Sequence, residues 1–345
     1  MRRFTAILLI LIFTLSLVSC SGQGEGDVYV DTTWHMDTYF SYLLYGRKSE
    51  KVFAELEEIV VNAEQVFDCY SLNSEIYAVN DEAGDGYKAI SQELYEVLNR
   101  ALSGYSRSDG AFDPTVGRLV SLWGFGTDDP SVPSEADIEE ALQHVGGYEV
   151  HLQQVDGRYY VSKSEGMMLD LGGIAKGYTL TLIARKLADS KLSAAVISAG
   201  GNVLLYGDRE FSVGIRRPSK DALDPVCTFS LNNCVVSTTG SYERFFVEDG
   251  VQYCHIIDPK TGKSVSGEMV SLSVVHSDAA EADLWSTAYF VKGMDAALEA
   301  MRTGKLEGVI LTRDNRILCS EGLAEKLEDG SIAEGWTWEV VACES

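Results

Sequence analysis

The feature that most constrains this chain is the segment 169–178, which reads Leu-Asp-Leu-Gly-Gly-Ile-Ala-Lys-Gly-Tyr. An apolar stretch ends at Asp170 and passes through Gly172 and Gly173 into a helical pattern. A helix that begins after glycines has free backbone N–H groups in its first turn, and these attract phosphate. Lys176 adds a cation there. A structural turn is an equally good interpretation of the segment alone, because neither the G-x-x-x-x-G-K-[ST] nor the G-x-G-x-x-G pattern is present.

Hydrophobic periodicity predicts helices and strands on both sides of this segment. Helical spacing of apolar residues, together with capping signals, predicts helices over 48–67, 91–105, 134–145, 174–188 and 280–302. A β-hairpin is predicted over 148–163, with its turn at Asp156-Gly157. Further strands are predicted over 194–198, 211–216, 235–238, 253–257, 270–276 and 308–312. Helices at the start, followed by strands mixed with helices, indicate an α+β protein.

The N-terminus has the pattern of a bacterial export signal. Two arginines precede an apolar run over residues 6–18, which is short for a membrane-spanning helix. The run ends in Leu-Val-Ser-Cys at residues 17–20, which resembles the lipobox of bacterial lipoproteins, where the cysteine carries the lipid. An uncleaved anchor is the alternative. Either interpretation places the folded part outside the cytoplasm.

We therefore expect a signal peptide over residues 1–19, a lipid on Cys20, a flexible tether within residues 20–30, and one domain over residues 31–345. Six cysteines follow Cys20, and none of them has C-x-x-C spacing, so zinc or thioredoxin-like chemistry is not expected. Export permits disulfides, but we interpret these cysteines as small buried hydrophobic residues.

The charge of the chain limits its partners. With 28 Lys+Arg against 52 Asp+Glu, its formal net charge is −24. Such acidity argues against sequence-independent binding of nucleic acid, which needs a basic surface, and against adhesion to anionic lipid by charge alone. Any anionic ligand must therefore be held by local cations, a metal or backbone amides.

A second cluster lies in the segment 282–288, Ala-Asp-Leu-Trp-Ser-Thr-Ala. Asp283 and Thr287 are four residues apart and share a helix face. Their carboxylate and hydroxyl are hard oxygen ligands of the kind that Mg²⁺ uses beside water and substrate phosphate. A carboxylate that merely favours the positive end of a helix is the alternative.

Two further segments contain possible site residues. In the segment 253–262, His255 stands at a predicted strand end and is a candidate general base, although a lone histidine is more often structural. The segments 110–117 and 122–126 are rich in glycine and aromatic residues, which either stack on a planar ring or fill the core.

Together these segments resemble the FAD:protein FMN transferases of the ApbE type. The resemblance is ordered and spans nearly the whole chain after the leader. The matching segments, with Asp170 to Gly177 as the strongest, are Met36-Asp37-Thr38, residues 70–80, 110–117, 123–126, 170–177, 199–202, 238–244, 255–262 and 283–287. The departures are mild: Asn202 and Ser241 stand where the family often has Asp, Thr239 where it often has Ser, and Lys260 where it often has Arg.

The resemblance implies a fold, a reaction and roles for individual residues. The fold is an ApbE-like, T-fold-like α+β architecture with mixed, largely antiparallel sheets and flanking helices. The reaction is a Mg²⁺-dependent transfer of FMN from FAD to a Thr or Ser hydroxyl of an acceptor protein, with release of AMP. Phosphoryl transfer of this kind depends on positioning and charge neutralisation.

The implied metal ligands are Asp283, Thr287 and the backbone carbonyl of Gly173. Lys176 is implied to hold the flavin nucleotide, with Asp170 organising the same wall, and His255 to take the proton of the acceptor hydroxyl. The implied FAD pocket is lined by Met36, Tyr70, Ala111, Phe112, Asp113 and Ile257.

Implied partners are FAD and exported electron-transfer proteins, such as subunits of redox-driven ion pumps, with a lipid anchor at Cys20 holding the enzyme at the membrane.

Three alternative functions use the same residues differently or not at all. A Mg²⁺-dependent FAD pyrophosphatase would use water in place of the protein hydroxyl. A lipoprotein that only binds flavin would not need Asp283, Thr287 and Lys176, and a structural lipoprotein would leave the ordered motifs unexplained.

Overall fold

The structure is a computed structural model that describes residues 28–81, 86–219 and 224–344. The predicted signal peptide, the lipidation site Cys20 and the tether up to residue 27 lie outside the described residues. No helix within the described part of the chain is long and apolar enough to cross a membrane.

The described residues form sixteen strands. In chain order they are β1 (Val28–His35), β2 (Thr38–Tyr45), β3 (Lys88–Ile90), β4 (His151–Val155), β5 (Arg158–Ser162), β6 (Ala194–Ala199), β7 (Asn202–Tyr206), β8 (Phe211–Arg216), β9 (Pro225–Leu231), β10 (Val235–Gly240), β11 (Phe245–Glu248), β12 (Val251–Cys254), β13 (Met269–His276), β14 (Gly308–Thr312), β15 (Arg316–Ser320) and β16 (Thr337–Val341).

The same residues form nine α-helices. They are α1 (Ser49–Phe67), α2 (Glu75–Asp81), α3 (Gln92–Arg107), α4 (Gly117–Trp123), α5 (Glu135–Leu142), α6 (Ala175–Ala188), α7 (Ala279–Lys292), α8 (Met294–Arg302) and α9 (Glu321–Ala324).

A nine-stranded sheet is the centre of the molecule. Its strand order is β1-β2-β6-β7-β10-β13-β14-β15-β16, and every neighbouring pair except β15 and β16 is antiparallel. One face of β2, β6 and β7 packs against α1, α6 and α7 in a core that includes Phe40, Leu56 and Ile183. The opposite face, from β7 onward, packs against the β8–β9 hairpin through Leu205, Val213 and Phe229. The predicted α+β class with mixed, largely antiparallel sheets is confirmed.

A second core lies between the C-terminal half of α1, helix α3 and the small sheet β3-β5-β4. The segment 167–178 runs through this core: Leu169, Leu171 and Tyr178 are fully buried in it. Because α6 and α7 also pack on the large sheet, the glycine-rich segment lies where the two cores meet.

Most predicted elements are present, and three predictions are corrected. The predicted strand over residues 253–257 ends at Cys254, so His255 lies after β12. The predicted helix over residues 280–302 is two helices, because Gly293 adopts φ +86° and ends α7 before α8 begins. Strand β1 begins at Val28, so residues 28–30, which the sequence assigns to the tether, pair with β2. The turn that joins β1 and β2 has Met36 and Asp37 at positive φ, which is the backbone conformation of a tight hairpin turn.

The cysteines support the prediction that they act as small hydrophobic residues. All six within the described residues are free, and four of them (Cys69, Cys227, Cys254 and Cys319) are buried. Cys343 is exposed and does not fit the prediction.

Candidate active site

The glycine-rich loop brings three predicted ligand-binding residues together. The Asp170 carboxylate accepts a hydrogen bond from the Gly172 backbone N–H at 2.7 Å and one from the Tyr70 hydroxyl at 3.1 Å. The Lys176 ammonium donates to the Gly172 carbonyl at 3.1 Å. Tyr70, Asp170 and Lys176 therefore line one wall, with the ammonium of Lys176 held at the start of α6.

Helix α7 packs closely against this loop and the start of α6. The buried Asp283 carboxylate accepts a 2.8 Å hydrogen bond from the backbone N–H of Gly177. A Cβ at Gly177 would lie 2.3 Å from the Ala279 carbonyl oxygen, so only glycine allows the two helices to approach this closely. A Cβ at Gly173 would lie 3.3 Å from the Thr287 hydroxyl. The fold thus brings together Gly173, Asp283 and Thr287, the three implied metal ligands.

These groups fit a hard divalent cation that keeps most of its water. They comprise a carboxylate, a hydroxyl and a backbone carbonyl, all of them oxygen donors. Within the described residues no group of three or more His, Cys, Asp or Glu side chains converges as a metal site. Such a set suits Mg²⁺, which binds through one or two carboxylates together with water and substrate phosphate.

A buried polar network lies behind Asp283, and sequence reasoning did not identify it. The Ser237 hydroxyl donates at 2.6 Å to the side-chain oxygen of Asn202 and lies 3.4 Å from the Asp283 carboxylate. The Ser286 hydroxyl donates to the Asp283 backbone carbonyl at 2.9 Å and also contacts Ser237 at 3.1 Å. The side-chain nitrogen of Asn202 is buried without a partner. These contacts hold the carboxylate and the backbone carbonyl of Asp283 in position on the side that faces the sheet.

His255 is held as a neutral imidazole. Its Nδ1 lies 3.2 Å from the Arg244 carbonyl, which also accepts the His255 backbone N–H at 3.0 Å. The pKa of His255 is lowered to about 4, mainly by burial and also by the positive charges of Arg244 and Lys176, while the hydrogen bond to the Arg244 carbonyl opposes the shift. A hydrogen on Nδ1 satisfies the carbonyl and leaves the lone pair of Nε2 free to accept a proton.

The turn between β1 and β2 is tied to the same region. Arg244 donates to the Asp37 carbonyl at 3.2 Å, and its guanidinium lies 3.7 Å from the Asp37 carboxylate. The neighbouring Met36 donates its backbone N–H to Glu64 at 2.7 Å, and its sulfur lies 3.8 Å from the hydroxyl of Thr179 in α6. Arg244 was not predicted as a site residue. The sequence signal for Arg244 is a cationic residue that follows a strand ending in glycine.

The segment 111–113 is buried next to the loop. Ala111 and Phe112 are buried, and the Phe112 ring would lie 2.9 Å from a Cβ at Gly173. The Asp113 carboxylate accepts hydrogen bonds from the hydroxyl and backbone N–H of Thr115 and from the Gly147 N–H. Burial raises the pKa of Asp113, and those hydrogen bonds oppose the rise.

Asp113 lines a cleft of about 540 Å³. The cleft lies between the end of α3, the segment 142–148 and Pro259, and the ion pair of Lys260 with Asp109, at 3.3 Å, borders it. Ile257 is buried with Leu119 and Trp123 in a small core cluster, so its role in a flavin pocket stays a prediction.

Comparisons with known proteins show which sequences and folds this chain resembles. The sequence pattern of the ApbE family matches residues 31–311. The FAD:protein FMN transferase of Treponema pallidum is 33% identical over 330 residues, covering 90% of this chain and 91% of the relative. The enzyme of the same name from Escherichia coli K12 is 28% identical over 272 residues, covering 76% and 78%.

Solved structures show the same architecture. The ApbE protein of Thermotoga maritima superimposes with a TM-score of 0.79 at 30% identity, over 88% of this chain and all of that one. The flavin transferase ApbE of Vibrio cholerae gives a TM-score of 0.78 at 22% identity, over 87% of this chain and 99% of that one, which shows a shared fold.

Proposed function

Since this chain belongs to the ApbE family, we propose that it is an FAD:protein FMN transferase, which moves FMN from FAD to a hydroxyl of an acceptor protein and releases AMP. The observation that carries the proposal is the convergence of the Gly172–Gly173 loop and Lys176 on Asp283 and Thr287, with a neutral His255 beside them. In this proposal the same group of residues provides phosphate binding, a cation site and a base.

Different residues of the chain bind the pyrophosphate and the metal in the proposed phosphoryl transfer. Lys176 holds the pyrophosphate, while Asp170 and Tyr70 shape the wall beside it. Asp283, Thr287 and the Gly173 carbonyl would hold Mg²⁺. When bound, the metal would neutralise charge on the phosphate oxygens as the bond to AMP breaks.

His255 is the base in this proposal. The acceptor hydroxyl attacks the FMN-side phosphorus, its proton passes to Nε2 of His255, and the phosphorus–oxygen bond to AMP breaks. The hydrogen bond from Nδ1 to the Arg244 carbonyl orients the ring for this step. The low pKa keeps the imidazole unprotonated across the neutral range, as a base must be.

The location of the enzyme is also a proposal. The leader and Cys20 support an exported lipoprotein anchored to a bacterial membrane and facing away from the cytoplasm. Acceptors in that compartment are electron-transfer proteins that display a Thr or Ser near the membrane. The tether up to residue 27 would allow lateral reach.

The test follows the fate of FAD. A protein lacking residues 1–20 is incubated with FAD and Mg²⁺, with and without a candidate acceptor domain, and AMP is measured by chromatography. The proposal predicts rapid AMP release only when the acceptor is present. Equal release of AMP and free FMN without an acceptor would identify a pyrophosphatase, and intact FAD in both samples would leave a flavin-binding protein.

A further inference from the structure

The large sheet is covered unequally on its two faces. Helices α1, α6 and α7 pack on one face as far as β1, where the Tyr29 ring contacts Phe53 of α1. On the other face the β8–β9 hairpin provides the cover, and it ends at Tyr45 of β2. The Tyr45 ring lies 6.0 Å from the ring of Phe211 and 4.3 Å from the guanidinium carbon of Arg209. Beyond Tyr45 the sheet has no cover among the described residues.

The register of β1 and β2 identifies the residues on this uncovered side, because directly paired residues of antiparallel strands share a face. We name them the outer face of β1–β2: Val28, Val30, Thr32, Trp34, Tyr39, Ser41, Leu43 and Tyr45. Four of them are at least half exposed, with 50% for Val28, 68% for Val30, 57% for Trp34 and 56% for Tyr39. Trp34 and Tyr39 contact each other edge to face, with ring centroids 4.8 Å apart.

The outer face of β1–β2 also differs from the rest of the chain in charge. It contains no ionisable acidic or basic group, although 23% of the chain is charged. Asp31, the acidic residue within β1, accepts a hydrogen bond from Tyr29 on the opposite face. Exposed clusters of aromatic and aliphatic side chains mark interaction sites. Because the outer face of β1–β2 is neutral on a protein of net charge −24, a partner can bind there without removing water from charged groups.

The position of this face in the chain identifies such a partner. Val28, at one end of the face, is eight residues after Cys20. Eight residues span at most about 28 Å when fully extended. A folded chain of this size has a radius of gyration of about 20 Å. A lipid on Cys20 would therefore keep the start of β1 within about one domain radius of the bilayer surface.

We infer that the outer face of β1–β2 rests on the headgroup region of a zwitterionic bilayer. The inference depends on the lipid anchor proposed above. Tryptophan and tyrosine side chains favour the membrane interface, where an apolar body and a polar tip are both satisfied. A second copy of the chain is a poorer occupant, because two molecules that each carry a net charge of −24 repel each other.

Contact of this face with the bilayer would also orient the active site. Strand β1 has eight residues and is about 26 Å long. It leads from the tether to the turn at Met36 and Asp37, which Arg244 ties to the site. With its outer face on the bilayer, the site opens near the headgroups and serves acceptors whose hydroxyl lies close to the membrane.

The experiment uses the full lipidated chain, reconstituted into phosphatidylcholine vesicles with brominated acyl chains, which quench tryptophan on contact. The chain has five tryptophans, and the difference between wild type and Trp34→Phe isolates the emission of Trp34. We expect this difference signal to fall by at least about half relative to vesicles without bromine, as for a side chain that enters the interface. Mass spectrometry of the same sample checks the lipid on Cys20.

A matched pair of variants tests the face without relying on fluorescence. Val30→Ser with Trp34→Ser alters the outer face, whereas Val247→Ser with Val251→Ser alters similarly exposed valines of the β11–β12 hairpin. Hydrogen exchange of residues 28–45 should be slower on vesicles than in detergent for wild type and for the β11–β12 variant. The outer-face variant should lose this protection.

Three results would overturn the inference. One is unchanged Trp34 emission on vesicles whose protein carries the lipid. Another is a dimer in detergent that the outer-face variant dissociates, which would assign the face to a second copy. The third is a chain without lipid on Cys20. FMN transfer to an acceptor, measured on the same samples, reports on the proposed enzymatic function separately.

Discussion

The carboxylate of Asp283 accepts the backbone N–H of Gly177 at 2.8 Å across 106 residues of sequence. This bond joins the helix that carries Asp283 and Thr287 to the helix that follows the glycine-rich loop. It orients Asp283 through one carboxylate oxygen and leaves lone pairs on both oxygens for a cation. The two halves of the proposed site therefore depend on how closely α6 and α7 approach.

Gly177→Ala should separate the two helices. The added Cβ would lie 2.3 Å from the Ala279 carbonyl and 2.5 Å from the Cβ of Asp283. We expect a loss of about 1–3 kcal/mol in the free energy of unfolding, as for overpacked cores, and strongly reduced transfer. Gly267→Ala is the matched control, because a Cβ there meets nothing within 4 Å. Urea unfolding and transfer rates measure both effects. Wild-type values for both variants would disprove the close packing.

Asp283→Asn keeps the hydrogen bond from Gly177 and removes the negative charge. We expect Mg²⁺ affinity, measured by calorimetry, to fall by at least about tenfold, and transfer to fall with it, because a carboxylate is the principal ligand in this set. Glu281→Gln is the control: Glu281 is on the same helix and pairs with Arg107 at the surface. Its transfer rate should stay within about twofold, as for a weak surface ion pair. Retained Mg²⁺-dependent turnover in Asp283→Asn would contradict the metal assignment.

Ser237→Ala removes the hydroxyl that links Asn202 with Asp283. We expect Mg²⁺ to bind about five- to tenfold more weakly, the value of one net hydrogen bond, while the KM for FAD changes little. Ser273→Ala removes another buried hydroxyl on the neighbouring strand, where it pairs with Thr238 away from Asp283. Equal losses of Mg²⁺ affinity in both variants would show that Ser237 acts only through stability.

The pH dependence of transfer tests His255. Because burial lowers its pKa to about 4, the unprotonated form predominates above that value, and protonation inactivates the base as the pH falls towards it. We expect kcat/KM to show no inflection near 6.5, the usual value for histidine, and to decline only as the pH approaches 4–5. A mutation His255→Ala should slow transfer while FAD still binds. An inflection near 6.5 that disappears in this mutant would place the pKa of His255 in its usual range.

Local sequence signals predicted most of the elements. Ser134 caps α5 and exchanges hydrogen bonds with Asp137, as the spacing of these residues indicates. The break at Gly293 was missed because a helical pattern tolerates a single glycine, so the glycine alone does not mark the end of a helix. The β1–β2 hairpin was missed because its turn consists of Met36 and Asp37, without the glycine that usually marks such a turn.

The site could be predicted only in pieces. The spacing of Asp283 and Thr287, and the glycines before Lys176, indicate local chemistry. Their convergence follows from the order of strands in the sheet, which no local pattern encodes. Ser237, Asn202 and Arg244 were not assigned roles because serine, asparagine and arginine have no distinctive spacing, and their contacts connect residues up to 207 positions apart.

Intact-protein mass spectrometry of an acceptor domain tests the central claim most directly. The domain is incubated with FAD, Mg²⁺ and the protein lacking residues 1–20. The account predicts a mass gain of one FMN phosphoester, abolished by EDTA and by Asp283→Asn. An acceptor of unchanged mass, in a reaction that nevertheless releases AMP and free FMN, would contradict it.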